Sequence, residues 1–353
     1  MENCLRDIDP NIAIPYIDWT MDAVLGNDYA PQNILWSELF LGNGYGNVVT
    51  GPFANWPILE GTPYNPSLFL NRNLTLPPPI VEEVPYLMNE DQLREMVYSP
   101  SMRQTSWFLS NVAESYHGRV HNWFGGTMSD VMRSTYEPAF WMHHAFIDCI
   151  WEAQRDYQRS IGIDPQFDYP DDDIALGLGM ETIDGTVLQS REQSFHYAYN
   201  IMQPFGLRNI DALSDIYTRE FYTCAPRPTC SRINPNCGSD YLFCELTTEH
   251  CAPRLQVGAN CQPFQLSQPC FNSVCCNGVC SQICNNPIPP VVPIAPVVPQ
   301  QVPVKPGAPI KLTPVDKAPI NQFLQGFGWG NQGTSKLQSV NRFVPNQQQG
   351  VYY

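Results

Sequence analysis

Apolar residues occur in short runs along the chain. The most apolar stretch covers residues 287–299, and prolines interrupt it. A helix that crosses a membrane needs about 20 consecutive apolar residues, so the pattern predicts no membrane-spanning segment. Aromatic residues are dense between residues 103 and 161, where four of the six histidines also lie. Such aromatic bulk is more typical of core packing than of substrate recognition.

A first helix is predicted around His117 and His121. The two residues are four apart, which places both imidazoles on one face of a helix within reach of a single metal ion. Gly125 and Gly126 follow and are expected to end this helix. Without further context, such a pair is more often a surface pair or a pair satisfied within the core.

A second helix is predicted from about Pro138 to about Ile161, with Gly162 as its cap, because proline is favoured in the first turn. This helix presents His143 and His144. Neighbouring residues on a helix point about 100° apart, so only one of the two can face an ion held by the first helix.

Asp148 supports a metal site, since it lies four residues after His144. A carboxylate at this spacing could accept a proton from a ligating imidazole and fix its tautomer. Three imidazoles without a thiolate or an added carboxylate suit copper or zinc, and the spacing alone does not choose between the two metals.

Charge and composition divide the chain into three segments. Residues 1–223 hold 11 arginines, no lysine and 30 acidic residues, whereas all four lysines lie after residue 284. The net charge of -15 argues against nucleic acid as a partner, because an acidic chain repels a phosphate backbone. We therefore expect a main domain at 1–223, a small module at 224–284 and a tail at 285–353.

The middle segment is rich in cysteine, with eleven cysteines between Cys224 and Cys284. Their spacing contains no C-x-x-C pair, which argues against zinc and favours disulfides. Persistent disulfides indicate an oxidising compartment, so the protein is expected to be secreted. The first residues of the chain contain acids and no apolar core of a signal peptide, and we therefore expect further sequence upstream.

The tail combines two compositions. Prolines recur every third residue from 287 to 299 and from 303 to 309, which predicts a polyproline II spacer. Residues 320–353 are rich in glutamine, asparagine and glycine, a composition typical of disorder. This part is interpreted either as a solvated tail or as a tail whose tyrosines and lysines can be cross-linked.

Two segments carry a resemblance to a known family. HGRVHNWFGG at 117–126 and EPAFWMHHAFIDCIW at 137–151 resemble the copper B half of tyrosinases, catechol oxidases and molluscan haemocyanins. IPYIDWT at 14–20 is similar to the family's I/L-P-Y-W-D-W-T segment, with Ile17 in place of tryptophan, and ENCLRDIDPN at 2–11 resembles the end of the helix that carries the third copper A histidine. The resemblance covers about residues 1–223. The cysteine-rich module and tail make the chain most similar to tyrosinase-like proteins of mollusc shell matrix.

The resemblance implies a mainly α domain with a central four-helix bundle, in which two coppers, each held by three histidines, bind dioxygen. It assigns the copper B ligands to three histidines, His117, His121 and His144. It also implies that His143 is a neighbour that does not bind copper and that Phe140 packs under the site. Asp148 would orient a ligand.

The chain departs from the family at several positions. Residues 1–116 contain no histidine, so the ligands of copper A are absent from this stretch, and one N-terminal truncation would explain both this and the missing signal peptide. Gly118 stands where several tyrosinases have an asparagine that helps to deprotonate a monophenol, which leaves oxidation of o-diphenols less affected. Cys149 replaces a basic residue and is expected to be a buried thiol.

Asn73 begins a glycosylation sequon, Asn73-Leu74-Thr75, in a proline-rich loop, although an unmodified surface asparagine is the alternative. The sequence as a whole predicts a secreted copper oxidase that converts phenols or o-diphenols to o-quinones. Its expected partners are dioxygen, phenolic small molecules or protein tyrosines, and proteins of an extracellular or shell matrix. Neither nucleic acid nor a membrane is expected as a partner. The alternatives are a non-catalytic matrix protein that retains one copper site and, less favoured, a haemocyanin-like oxygen carrier.

Overall fold

The computed structural model describes residues 1–58, 68–74, 87–98, 114–169, 187–194, 196–203 and 205–284. The predicted tail from residue 285 onward lies outside the described residues, as does Thr75 of the sequon. In the described part, no helix combines the length and the apolar character that crossing a membrane requires.

The described residues of the main domain are rich in helix. Its α-helices are α1 (Glu2–Arg6), α2 (Trp19–Leu25), α3 (Glu90–Val97), α4 (Glu114–Phe124), α5 (Gly126–Ser129) and α6 (Pro138–Ser160). Short 3-10 turns cover Ala30–Gln32, Ile34–Trp36, Ser134–Tyr136, Pro165–Phe167, Arg191–Gln193 and Asn209–Leu213, and a π turn covers Tyr217–Phe221. A further 3-10 turn, Gln262–Ser267, lies in the cysteine-rich segment.

Both predicted helices are confirmed within a residue or two. The last residue of α4 is Phe124, and Gly125 follows with a φ of 60°, a backbone angle that glycine adopts without strain. Pro138 opens α6, and the Glu137 carboxylate caps it by accepting a hydrogen bond from the Ala139 N–H. At the other end, Gly162 has a φ of 85°.

Within the described residues, the strands form four antiparallel pairs, each of two short strands. In chain order the pairs are β1 (Tyr45–Asn47) with β2 (Asn71–Asn73), β3 (Ile201–Met202) with β4 (Leu207–Arg208), β5 (Leu242–Glu245) with β6 (His250–Pro253), and β7 (Val274–Cys276) with β8 (Val279–Ser281). The expectation of a loop at Asn73 is wrong, because Asn73 is the last residue of β2 and pairs with Tyr45.

The core of the domain is aromatic. The indoles of Trp19 and Trp36 each pack edge-on or tilted against Trp123 and against Phe124. Beside them, the fully buried guanidinium of Arg72 makes two hydrogen bonds, of 2.9 and 2.7 Å, to the Glu137 carboxylate that caps α6. The first turn of α6 is thereby tied to β2.

The cysteine-rich segment, residues 224–284, is called the cystine module below. Disulfides rather than metal are confirmed: five bridges lie within it, joining 230 to 244, 237 to 251, 261 to 275, 270 to 280 and 276 to 284. The expected buried thiol at Cys149 is wrong, because Cys149 is bridged to Cys224. An eleventh cysteine in the module needed a partner from outside, and α6 supplies it.

Candidate metal centre

Three imidazoles from two helices meet at one point. The Nε2 atoms of His117 and His121, both on α4, are 3.1 Å apart, and each lies 3.3 Å from Nε2 of His144 on α6. All three side chains are half-buried. The three ligands predicted from the sequence therefore come together as a nearly equilateral triangle of nitrogens.

This triangle fits a metal ion. An ion bound by imidazoles at about 2.0 Å in tetrahedral geometry holds its ligand nitrogens about 3.3 Å from one another. The observed separations of 3.1 to 3.3 Å agree with that value. Three imidazoles leave the fourth tetrahedral position open, as catalytic metal sites do.

The hydrogen bond of His121 fixes which of its nitrogens can bind a metal. Its Nδ1 lies 2.9 Å from the backbone carbonyl oxygen of Met128. A carbonyl can only accept a hydrogen bond, so Nδ1 carries the proton and Nε2 presents its lone pair to the other two histidines. Met128 lies in α5, two residues after Gly126.

Phe140 packs against the ring of His144, a contact that the resemblance implied. The two rings stack at a centroid distance of 4.1 Å with 28° between their planes. Phe140 precedes His144 by one helical turn of α6, so the helix itself sets this contact. The ring also lies edge-on to His121 at 5.8 Å.

His143 belongs to the buried face of α6. Together with Ala139, Phe146 and Ile150 it forms a stripe at helical spacing that faces the core. Its Nδ1 accepts a hydrogen bond of 2.9 Å from the indole N–H of Trp19. The resemblance implied that His143 is a neighbour of the ligands, and the structure places it beside the triangle with one nitrogen already engaged.

Burial favours the neutral form of His143 and His144. Desolvation is the main cause that lowers the pKa of His144 to about 4, and the nearby His117 and His121 lower it further. The pKa of His143 is also well below its ordinary value, again mainly because of burial. A metal ion binds the neutral imidazole, so the lowered pKa of His144 leaves this ligand ready for an ion at neutral pH.

Asp148 has a different partner from the one expected. Its carboxylate accepts a hydrogen bond from the hydroxyl of Tyr222, and burial raises the pKa of Asp148. No hydrogen bond joins Asp148 to a histidine among the described residues. The carboxylate therefore helps to hold the segment around Tyr222 against α6, next to the bridge between Cys149 and Cys224.

Comparison with known proteins agrees with this site. Residues 1–156 match the tyrosinase family model, described as the common central domain of tyrosinase. Residues 1–156 are therefore a tyrosinase-family domain. This is a family of copper proteins, and the cluster of His117, His121, His143 and His144 is a group that could bind copper.

Relatives come from animals and bacteria. The chain is 31% identical to the tyrosinase-like protein tyr-3 of Caenorhabditis elegans, over 86% of this chain and 42% of that protein. It is 30% identical to tyrosinase-like protein 2 of Margaritifera margaritifera, over 65% of this chain and 48% of the relative. A tyrosinase of Streptomyces antibioticus is 33% identical over 45% of this chain and 60% of its own length. The chain thus spans about half, or less, of the two animal relatives.

Several residues that shape the site could not be found from the sequence. Trp19 is separated from His143 by 124 positions, and Tyr222 lies far along the chain from Asp148. The Met128 contact uses a backbone carbonyl, which every residue has. The odd number of cysteines in the module was the one available signal, since it required a partner outside the module for one of them.

Proposed function

We propose that His117, His121 and His144 hold one copper ion, in the position of the family's copper B, and that this copper serves the oxidation of phenols or o-diphenols to o-quinones. The observation that carries the proposal is the triangle of Nε2 atoms, whose sides of 3.1 to 3.3 Å suit one ion. Copper, when bound, supplies the redox chemistry that activates dioxygen.

The protein's own residues prepare the site for this chemistry. The Met128 carbonyl orients His121, and Phe140 holds the ring of His144 by stacking. Next to His117, the position of Gly118 is open, because a Cβ built there would meet no heavy atom within 4 Å. We propose that a phenolic ring reaches the copper past Gly118, and that o-diphenols, which lose a proton more readily, are the favoured substrates.

A second copper would need imidazole ligands beyond the four clustered histidines. Of its six histidines, four form the cluster, and the other two, His196 and His250, lie after the main helices at exposed positions. Two-metal sites place their ions about 3.5 to 4 Å apart. We propose that the imidazoles for the second copper come from outside these 353 residues.

The setting that we propose is extracellular. Six disulfides are stable in an oxidising compartment, and relatives from Margaritifera margaritifera and Pinctada maxima are named tyrosinase-like proteins. Quinones react with nucleophilic side chains, so the product would cross-link a protein matrix, such as that of a shell. Asn73, which is exposed at the end of β2, is proposed as a glycosylation site.

A second candidate is a non-catalytic matrix protein that retains one copper. The histidine count favours it, because one complete set of three ligands holds one ion. In that case copper would act as a cross-link between α4 and α6, and metal binding would contribute folding free energy.

The experiment compares protein captured from its natural source by an antibody against residues 224–284 with the recombinant 353-residue chain. Copper is measured by elemental analysis, and oxidation of catechol is followed by oxygen consumption. We expect two coppers and catechol oxidation for the natural protein or its assembly, and about one copper without oxidation for the recombinant chain. Natural protein that is loaded with copper but inactive on catechol would favour the matrix role. A recombinant chain that binds no copper would refute the site itself.

A further inference from the structure

A fourth imidazole lies beside the three that we assign to copper. One nitrogen from each of the four histidines lies within 4.8 Å of the others. The ring of His143 is parallel to that of His117, at 5.3 Å and 4°. It also lies edge-on to His121 at 5.1 Å and to His144 at 5.2 Å. Proximity alone therefore does not explain why only three imidazoles should bind the ion.

Trp19 distinguishes His143 from the other three. The indole N–H can only donate, so the nitrogen that it contacts at 2.9 Å, Nδ1 of His143, must present a lone pair. A neutral imidazole with an unprotonated Nδ1 carries its proton on Nε2. One nitrogen of His143 is then engaged by Trp19 and the other is protonated, so neither offers a lone pair to a metal.

The contrast with His121 is direct. There a carbonyl acceptor holds the proton on Nδ1 and leaves the Nε2 lone pair for the metal. At His143 a donor occupies the equivalent nitrogen and has the opposite effect. Two neighbouring imidazoles of one cluster are thus set to opposite tautomers by the chemical type of their partners.

The packing around Trp19 keeps its donor in place. Trp19 is completely buried, and its ring lies edge-on to Phe124 at 5.5 Å and to Trp123 at 6.2 Å. It is the first residue of α2, whose N-terminus is capped by the carboxylate of Asp18. The indole can neither rotate away nor be replaced by water without disturbing the core.

We propose that the hydrogen bond from Trp19 to His143 prevents His143 from binding the metal and so keeps one coordination position open for dioxygen or substrate. The proposal rests on the copper site proposed above. A fourth imidazole would close a tetrahedral ion, as in structural metal sites, whereas three leave the open position that a reaction needs. Trp19 and His143 are therefore positioning residues, which act on the metal through the ligand set.

The test uses Trp19→Phe, which keeps an aromatic ring in the core but removes the N–H donor. Without that donor the proton of His143 can move to Nδ1, and Nε2 becomes a possible ligand. In the Cu(II)-loaded chain, pulsed electron paramagnetic resonance should count three imidazole nitrogens for the unaltered protein and four for Trp19→Phe. We expect copper affinity to rise in this variant, because the ion gains a fourth imidazole ligand.

The matched control is Trp19→Phe combined with His143→Phe. It carries the same change in the core but has no fourth imidazole, so it should return to three nitrogens. Four nitrogens in the unaltered protein, or three in Trp19→Phe, would overturn the proposal.

A measurement on the unaltered protein covers the case in which the variant does not fold. Nitrogen-15 NMR of the metal-free chain should show His143 with an unprotonated Nδ1 and a protonated Nε2, and the reverse tautomer would overturn the proposal. Failure of the chain to bind copper at all would instead refute the proposed function, so the two failures are distinguishable.

Discussion

At the scale of the residue, the hydrogen-bond partner of each imidazole decides what it can do. His121 faces a carbonyl and keeps a lone pair for a metal, whereas His143 faces an indole N–H and does not. Both side chains are the same residue type in the same cluster. The chemistry of the site therefore depends on Trp19 and on the Met128 backbone as much as on the histidines.

The first prediction concerns a ligand. His121→Ala should lower copper affinity by at least about 100-fold, because only two imidazole ligands remain. Loss of a residue that merely hydrogen-bonds a ligand already lowers metal affinity by about 10- to 100-fold. Equilibrium dialysis with copper measures the change. The control is His250→Ala, which removes an exposed histidine of the cystine module and should leave copper affinity unchanged. Equal losses in the two variants would show that the cluster is not the binding site.

The second prediction concerns Asp22, a fully buried carboxyl whose pKa is raised to about 8, mainly by desolvation. The unfolded chain loses this proton above about pH 4, whereas the folded chain keeps it until about pH 8. Unfolding between these values releases a proton, so this group makes stability fall as pH rises, by up to about 1.4 kcal/mol per pH unit.

Asp22→Asn removes that titration while keeping an oxygen to accept the hydrogen bond from Asn33. The free energy of unfolding should then decline less steeply between pH 5 and pH 7.5 than in the unaltered protein. Denaturant unfolding at several pH values, with disulfides intact, measures it. Asp28→Asn, at an exposed position, is the control and should keep the slope of the unaltered protein. If Asp22→Asn also keeps that slope, Asp22 is not the group that titrates.

The ligand residues could be predicted because their spacing is local. His117 and His121 lie one turn apart on α4, and helix geometry alone places them together. The choice between His143 and His144 needed the resemblance to the family, since the sequence says only that one of the two can face the ion. Trp19 acts across 124 positions, and no local pattern reveals a contact that tertiary packing creates.

At the scale of the element, α6 carries His144 and the two side chains that flank it, Phe140 and His143. Its first turn is tied to β2 through the ion pair of Arg72 with Glu137, and its second turn carries His143 and His144. Further along, the bridge from Cys149 to Cys224 and the hydrogen bond from Tyr222 to Asp148 attach the start of the cystine module. The helix is thus held at successive turns by different parts of the chain.

The third prediction follows from this bridge. Replacing Cys149 and Cys224 together with alanine removes a cross-link that spans 75 residues, and the unfolded chain gains conformational entropy. We expect a loss of about 2 to 4 kcal/mol in the free energy of unfolding, measured by denaturant titration. Copper affinity should fall as well, because α6 is less firmly held beside α4.

The matched control for this pair is alanine at Cys276 and Cys284, whose bridge closes a loop of only 8 residues at the end of the module. Its effect on stability should be smaller, because a shorter loop restricts the unfolded chain less. Copper affinity should not change in this control. If loss of the bridge at Cys149 also leaves copper affinity unchanged, the bridge does not support the metal site.

Helix ends were predictable at this scale because proline and glycine act locally, as at Pro138 and Gly162. The role of Cys149 could not be predicted in this way. A single cysteine within a helix is typical of a buried thiol, and only the pairing in space shows that it completes the disulfides of the module. Asn73 was misplaced for a similar reason, because short strand pairing with Tyr45 depends on distant residues.

At the scale of the whole molecule, the cystine module and the main domain share a core. Leu25 of α2 packs with Phe243 and Leu255 of the module, and the backbone of Ile34 donates to the carbonyl of Arg254. The composition predicted three segments from charge and cysteine content, but it could not show that the second is packed on the first. Apolar residues of both segments form one continuous surface only after folding.

The last prediction tests this union through Arg227 of the module. Its guanidinium contacts the buried Asp18 carboxylate at 2.6 Å and Glu90 of α3 at 2.9 Å. Asp18 also caps α2, the helix that begins with Trp19. Arg227→Met leaves the Asp18 charge buried without its partner. We expect a loss of about 1 to 3 kcal/mol, below the 3 to 5 kcal/mol of a fully buried pair because Arg227 is about one third exposed.

Adding Asp18→Asn to Arg227→Met should recover part of that loss, since asparagine also caps a helix and carries no charge. The comparison is Arg6→Met, which breaks a partly exposed pair with Glu2 and should cost less than about 1 kcal/mol. All variants are measured by denaturant unfolding with intact disulfides, followed by tryptophan fluorescence for the main domain. If Arg227→Met lowers the free energy of unfolding no more than Arg6→Met does, the module does not stabilise α2 through this carboxylate. The same conclusion follows if the double variant is the least stable.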